Sequence, residues 1–519
     1  ISEYIYISKK GNVDIKDNGF EVMQLASGLT LSDTVIKSTS IKELTGTAYI
    51  KSKLRESLIS ERRALIDEKF ANLSSDTNKL KTINNNLNLL DEKINSLDRD
   101  LKESKKSTFG TFITPLKEVQ NNLSDKDALI TMLITNKRSY IWLVTKESVS
   151  RNDSNINSAQ VSLYVHNLLI ALNPSNLGDI TFPVKSSEKL YELLIVPFKK
   201  ELESIDRLIF APDPVLSQIP FSILTKPGSV GFNVVTDVDD VRGVAAVKIN
   251  TSDKPNSTQL DEIDWLIEDY AIAVVPSVYS YVGLEGTIND ENKVLDSFVG
   301  IGNPVLSGSE VALRADEKVA QKDQRGSISR TISDLSALPE TETELNTIAK
   351  FFTNSEVITQ NDATETKVRD MDLSGFDVVA FATHALVSNE IDDLFEPAIV
   401  LTPVDSDNSE NDGLLMASEI AELSMDADIV LLSACNTASA FGESNSQGLS
   451  GIADSFFEAG AKSLLVSYWS VISDSAVDIT TRMFDKSNTG KSYAHRHRES
   501  ILQLLKESNN YQTNPVYWA

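Results

Sequence analysis

The sequence predicts an α/β protein, with parallel sheet covered by helices on both faces, preceded by an α-helical region. Three observations predict it. From about residue 291 onward, strand-length apolar runs alternate with amphipathic helical stretches. Those runs are continuously apolar rather than alternating, as in strands buried on both faces. A strict heptad stripe stands well upstream of them.

Residues 1–50 carry one or two short helices and read as the end of helical repeats. Over 51–106 the pattern is stronger. Leu80, Ile83, Leu87, Leu90, Ile94, Leu97 and Leu101 are spaced 3,4,3,4,3,4, a heptad seam. Leu54, Leu58, Leu65 and Leu73 form a looser stripe before it, and "NLSSDTN" supplies turn and capping residues between the two. This region predicts a long antiparallel helical hairpin, a coiled coil that either packs as an arm or receives a partner helix.

Residues 107–290 form a first α/β half. "ALITMLIT" and "SYIWLVT" flank "NKR" as a hairpin, and "NSAQVSLYVHNLLIALN" and "SSEKLYELLIVPFKKELE" are amphipathic helices. "DRLIFAP" and "YAIAVVPS" are short buried strands, with an irregular polar excursion from Phe232 to Gln259 between them. Residues 291–519 form the second half. Its strands are "SFVGIG", "SEVIT", "FDVVAFAT", "ADIVLLSA" and "KSLLVSYW". Its helices are "ETELNTIAKFF", "ATETKVRDM", "MASEIAEL" and "GLSGIADSFFEAG". The polar, aperiodic stretch from Ser307 to Asp334 predicts a long loop.

Composition bounds the function. The 519 residues correspond to about three domains, and the net charge of −26 repels phosphate, which argues against nucleic-acid or anionic-membrane binding. There is no apolar run long enough to span a bilayer and no basic–apolar–small leader, so membrane insertion is not expected. Cys435 is the single cysteine; it cannot form an intramolecular disulfide, and a reducing, cytoplasmic setting is expected. Lacking an initiator Met, the sequence reads as part of a longer chain.

Rival motifs are weak. "DSDNSENDG" lacks the glycine and bidentate glutamate of a calcium loop, having Glu410 and Met416 in their places. His495 and His497 are two apart, so on a helix they face different sides. "GIGNPVLSG" lacks a phosphate-loop spacing. Neither a metal nor an organic cofactor is expected.

Two of the strands end in reactive residues. "DVVAFAT" runs into His384 and "DIVLLSA" into Cys435, 51 residues later. In open parallel sheets, sites form beyond the carboxyl ends of strands. If the two strands are neighbours, imidazole and thiol meet over one sheet edge. There His384 can take or stabilise the thiol's charge and then protonate a leaving amine. Caspases carry their histidine about 50 residues before the cysteine. The acidic stretch after the histidine, with Glu390, Asp392 and Asp393, is either a solvated loop or a specificity loop favouring cationic peptides.

"FDVVAFATHA", "DGLLMASEIAEL", "ADIVLLSACNTA", "GLSGIADSFFEAGAKSLLVSYWSV" and "NPVYWA", in that order, resemble the motifs of the CHAT cysteine peptidase family. "RLIFAPDPVLSQIPFSIL", "DWLIEDYAIAVVPS" and "LPETETELNTIAKFF" resemble its earlier blocks, so the likeness covers about residues 109–519. The resemblance implies a caspase- and separase-like fold, with 107–290 as a degenerate pseudo-caspase half and 291–519 as the catalytic half. It implies a His384–Cys435 dyad, with the backbone N–H groups of Ala385 and Cys435 as the oxyanion hole. The family usually has glycine after the histidine; Ala385 keeps the N–H and adds a methyl. After "YW" its members carry acidic residues where Ile472 and Ser473 stand here; Asp474 follows one place late, as a further candidate specificity residue.

The family's habits imply a fusion to tetratricopeptide-type helical repeats and a regulated endopeptidase acting on a protein substrate. Such an enzyme is held inactive until a signal, or a partner docking on the helical N-terminal region, activates it. In some members the setting is prokaryotic antiviral immunity. The alternative reading is a catalytically weak caspase-like scaffold or interaction module.

Overall fold

The computed structural model describes residues 114–174, 182–228, 263–282, 295–306, 335–386, 396–404, 411–433, 451–469, 473–485, 490–507 and 513–519, with single positions such as Phe20, Met23 and Gln24. The chain divides into two compact units, Ile1–Ser32 with Thr114–Ala519, and Asp33–Ile113. The heptad hairpin belongs to the second unit and, apart from Lys93, lies outside the described residues, as do the excursion 232–259 and, apart from Ile332, the loop 307–334.

In the first unit, Phe20 and Met23 are fully buried beside the helix α1 (Leu116–Asn122). The Gln24 side chain donates to the Thr114 carbonyl at 2.9 Å and accepts from its N–H at 2.8 Å, which joins the segment before residue 33 to the one after residue 113.

The strands β1 (Asp127–Ile134) and β2 (Ser139–Thr145) form the expected antiparallel hairpin. A third strand, β3 (Val149–Ser154), continues it at the edge. The helix α2 (Ser158–Leu172) starts at a capping box between Asn157 and Gln160, and α3 (Val184–Leu194) follows. The predicted second helix therefore ends at Leu194, and a 3₁₀ turn, Val196–Phe198, containing Pro197 takes its place. The strands β4 (Arg207–Ala211) and β5 (Ala271–Val274) run parallel to β1 and complete the order β3-β2-β1-β4-β5. Successive β1 residues face opposite cores. Ala128, Ile130 and Met132 join α2 and α3, and Leu129 and Leu133 join α1.

The second sheet is wholly parallel. Its strands are β6 (Ser297–Pro304), β7 (Asn354–Gln360), β8 (Val378–Ala382), β12 (Ile429–Leu432) and β13 (Leu464–Val466), in the order β13-β12-β8-β6-β7. Two helices connect its first strands, α4 (Pro339–Ala349) between β6 and β7 and α5 (Glu365–Asp370) between β7 and β8. After β8 come three very short strands that sequence patterning missed: β9 (Ala385–Leu386), β10 (Ala398–Val400) and β11 (Leu414–Met416). They form a small antiparallel sheet. Next are α6 (Ala417–Glu422) and, after β12, α7 (Gly451–Ala459). Two helices not expected as such close the fold, α8 (Ser473–Met483) and α9 (Tyr493–Glu507).

This sheet is covered on both faces, as its apolar strands require. Val379 and Phe381 of β8, with Val430 and Leu432 of β12, face one core. Val378, Ala380 and Ala382, with Ile429 and Leu431, face the other, where Leu345 and Ile348 of α4 and Met483 of α8 pack. The last residues link the halves. Trp518 lies edge-on to Trp265 at 5.2 Å in the first core, and Trp469 beyond β13 donates its indole N–H to the Val516 carbonyl.

Candidate active site

The strands β8 and β12 are adjacent and parallel, with Ile429 opposite Val378 and Leu432 opposite Phe381. The Ser433 N–H continues the ladder by donating to the Phe381 carbonyl at 2.9 Å. Each pair along this ladder is offset by 51 residues.

His384 stands two residues beyond the end of β8 and is held from several sides. Its carbonyl accepts from Val400 N–H at 2.9 Å, while Thr383 Oγ1, fully buried, donates to the Val400 carbonyl at 2.7 Å. The half-buried imidazole donates from Nε2 to the Ser336 carbonyl at 2.7 Å. A carbonyl only accepts, so Nε2 carries the hydrogen, and in the neutral ring Nδ1 is the basic nitrogen. The small β9–β11 sheet thus fixes the backbone of the histidine, and the segment leading into α4 fixes its ring.

Ala385 follows in β9, buried, opposite Ile399. In an antiparallel ladder, hydrogen-bonded and non-bonded pairs alternate. His384 and Val400 form a bonded pair, so the N–H of Ala385 turns away from β10.

The α4 segment spans the carboxyl ends of three strands. At β6, Thr341 Oγ1 accepts from Asn303 N–H at 3.0 Å and Glu342 accepts from Asn303 Nδ2 at 2.9 Å. At β8, Ser336 receives the imidazole. At β12, Glu344 accepts from Ser433 Oγ at 3.1 Å. Asn303 and Gln360, closing β6 and β7, hold φ of 43° and 56°, left-handed values that non-glycine residues adopt uncommonly and that concentrate near functional sites.

The CHAT domain profile matches residues 184–519. The chain belongs to the CHAT domain family. The matched span takes in α3, the strands β4 and β5 of the first sheet and the whole of the second, parallel sheet. Among solved structures the chain is similar to one in the Saccharomyces cerevisiae separase–securin complex, with 11% identity and a TM-score of 0.36, over 85% of this chain and 34% of that one. The CHAT chain therefore spans about a third of the length of that relative. No curated protein matches it in sequence.

Of the residues singled out in this CHAT chain's sequence, the structure describes His384 and Ala385, side by side at the end of β8. Cys435, Glu390, Asp392 and Asp393 lie outside the described residues, and Asp474 falls in the first turn of α8 with its side chain outside them. Among the described residues there is no cluster of three His, Cys, Asp or Glu side chains suited to a metal, and no helix long and apolar enough to cross a membrane.

Sequence reading missed Glu344 and Ser336. Glu344 had a signal: it falls on the buried stripe of α4 formed by Thr341, Leu345 and Ile348, where an acid needs partners. Ser336 acts through its backbone and had none.

Proposed function

We propose that this CHAT chain is a cysteine endopeptidase with His384 and Cys435 as its dyad. The observation that carries this reading is the register of β8 and β12. Their ladder offset of 51 residues equals the separation of His384 from Cys435 in the sequence, so the two residues follow the carboxyl ends of neighbouring parallel strands at equivalent sequence positions.

In the mechanism, His384 Nδ1 takes the thiol proton as the Cys435 sulfur attacks the peptide carbonyl carbon. The N–H groups of Ala385 and Cys435 hold the resulting oxyanion, and the outward turn of the Ala385 N–H from β10 suits that role. The imidazolium, steadied through Nε2 by the Ser336 carbonyl, then protonates the leaving amine as the C–N bond breaks. Water attacks the thioester, giving its proton to His384, and the sulfur leaves to regain a proton. Cationic-substrate preference from Glu390, Asp392, Asp393 and Asp474, activation or inhibition by a partner on the helical N-terminal region, cytoplasmic location and a role in prokaryotic immunity rest on the sequence and on family habit.

The test is to incubate wild type, Cys435→Ala and His384→Ala with candidate protein substrates and score defined cleavage by mass spectrometry. Cleavage by wild type alone is expected. Cleavage that persists in both variants excludes this dyad, and a wild type inert under every activating condition favours a scaffold role.

A further inference from the structure

Glu344 is 2% exposed, and its carboxyl meets two hydroxyls from different elements. Ser433 Oγ, just past β12, lies 3.1 Å from Oε2, and Thr480 Oγ1 on α8 lies 2.7 Å from Oε1. Thr480 Oγ1 also lies 2.8 Å from the carbonyl of Ala476. A hydroxyl has one hydrogen, and the Ala476 carbonyl can only accept it. Both short contacts of Thr480 are therefore satisfied together when its hydrogen goes to Ala476 and a protonated Glu344 donates to Thr480. Ser433 then donates to the remaining carboxyl oxygen. Burial, reinforced by Glu340, pushes the Glu344 carboxyl up, in the same direction.

We infer that Glu344 is a positioning residue, a neutral carboxylic acid that ties Ser433, two residues before Cys435 in the sequence, to α4 and α8. The inference rests on the dyad proposed above. The same stretch of chain holds the other partner, since Ser336 O receives the His384 imidazole eight residues before Glu344. One continuous stretch of chain, from Ser336 before α4 to Glu344 within it, thereby bridges the two strand ends. A neutral acid suits the place better than a carboxylate, because a negative charge held against Ser433, two residues before Cys435 in the sequence, would oppose formation of the thiolate. Thr480 couples this arrangement to α8, whose first turn follows the β13 edge of the sheet.

The readout is the alkylation rate of Cys435, the single cysteine, by iodoacetamide, followed by mass spectrometry on the full chain. Circular dichroism and melting identify the variants that fold. Glu344→Gln, a neutral shape-mimic with both donor and acceptor, should react within about twofold of wild type. Glu344→Ala and Ser433→Ala should each slow the reaction about tenfold, the rate equivalent of roughly one lost hydrogen bond. Should Glu344→Ala not fold, Ser433→Ala decides alone, since it removes only one hydroxyl.

A folded Ser433→Ala reacting at the wild-type rate overturns the inference. So does a Glu344→Gln as slow as the alanine variant, which would mean that the anion is the working form. His384→Ala separates the two levels. If it reacts like wild type, the dyad falls and the inference with it; if it is slow while Ser433→Ala is not, only the inference falls.

Discussion

Gly302 of β6 lies so close to Ala382 of β8 that a Cβ on Gly302 would stand 2.5 Å from the Ala382 carbonyl oxygen and 2.9 Å from a Leu345 methyl. The first of these neighbours is backbone and cannot rotate away. The contact falls at the last residue of β8, two before His384. Gly302→Ala should therefore force β6 and β8 apart where the histidine is held. The expected cost is about 1–3 kcal/mol of stability, read as a lower urea midpoint, together with a loss of any His384-dependent reactivity of Cys435. An equally stable variant would show that the strand ends yield more readily than the packing implies.

The strands around this contact were the most legible part of the sequence. "FDVVAFAT" and "ADIVLLSA" are continuous apolar runs, and β8 and β12 occupy their centres as adjacent parallel strands. The β9–β11 sheet was not legible, because strands of two or three residues are too short to establish a period. The helix α9 was overlooked for a different reason. Its "HRHR" was weighed only as a metal pair, whereas Ile501 and Leu504 further along supply its buried face. The site was half legible. His384 and Ala385 could be named from a strand end and a family likeness. The α4 segment joining the strand ends acts through one backbone carbonyl and one buried acid among several glutamates, which no spacing rule isolates.

A second prediction concerns the first half. Asp127 and Arg207 sit opposite each other on β1 and β4, both nearly inaccessible, in a paired contact at 2.8 and 2.7 Å. Burial alone would raise the aspartate, but the guanidinium's hydrogen bonds and charge prevail and hold its carboxyl below the ordinary range. Removing one partner strands the other charge in the core. Arg207→Met should cost about 3–5 kcal/mol, and the double variant Asp127→Leu/Arg207→Met should recover most of that loss in denaturant titrations. A double variant as unstable as the single one would show that the pair contributes more than mutual neutralisation.

A third prediction follows from the terminal residues. Trp518 is 2% exposed and packs edge-on to Trp265, which itself meets Phe182 edge-on at 5.1 Å. Its indole N–H donates to the Thr513 carbonyl, and Trp469 from the second half bonds the neighbouring Val516. Trp518→Ala removes a large ring from this junction and should cost about 3–5 kcal/mol. Trp518→Phe, which keeps most of the apolar volume and loses the N–H, should cost less than half as much. Amide exchange should report the loosening both in α3 and near Trp469. Protection lost in one half alone would argue against a shared core.

The last prediction is a pH dependence. Glu365, 1% exposed, accepts from the Gly413 N–H at 2.7 Å, at a residue whose φ of 92° and close approach to Pro403 require glycine. Burial, with Asp412 and Glu419 nearby, raises its carboxyl to about 8. Arg369 lies 2.8 Å away and opposes the shift, but it is shared with Glu419 at 3.2 Å and does not prevail. Between about 4.5 and 8 the folded chain then keeps a proton that the unfolded chain has released. Stability from this group is accordingly full below the lower value, falls as pH rises through the window, and levels off above the upper one. Glu365→Gln holds the neutral shape at every pH. Relative to wild type, its unfolding free energy should gain steadily from pH 5 to pH 8 in denaturant titrations, by an amount on the order of a few kcal/mol in all. A difference between the two proteins that stays constant across that range would mean that Arg369 keeps Glu365 ionised in the fold.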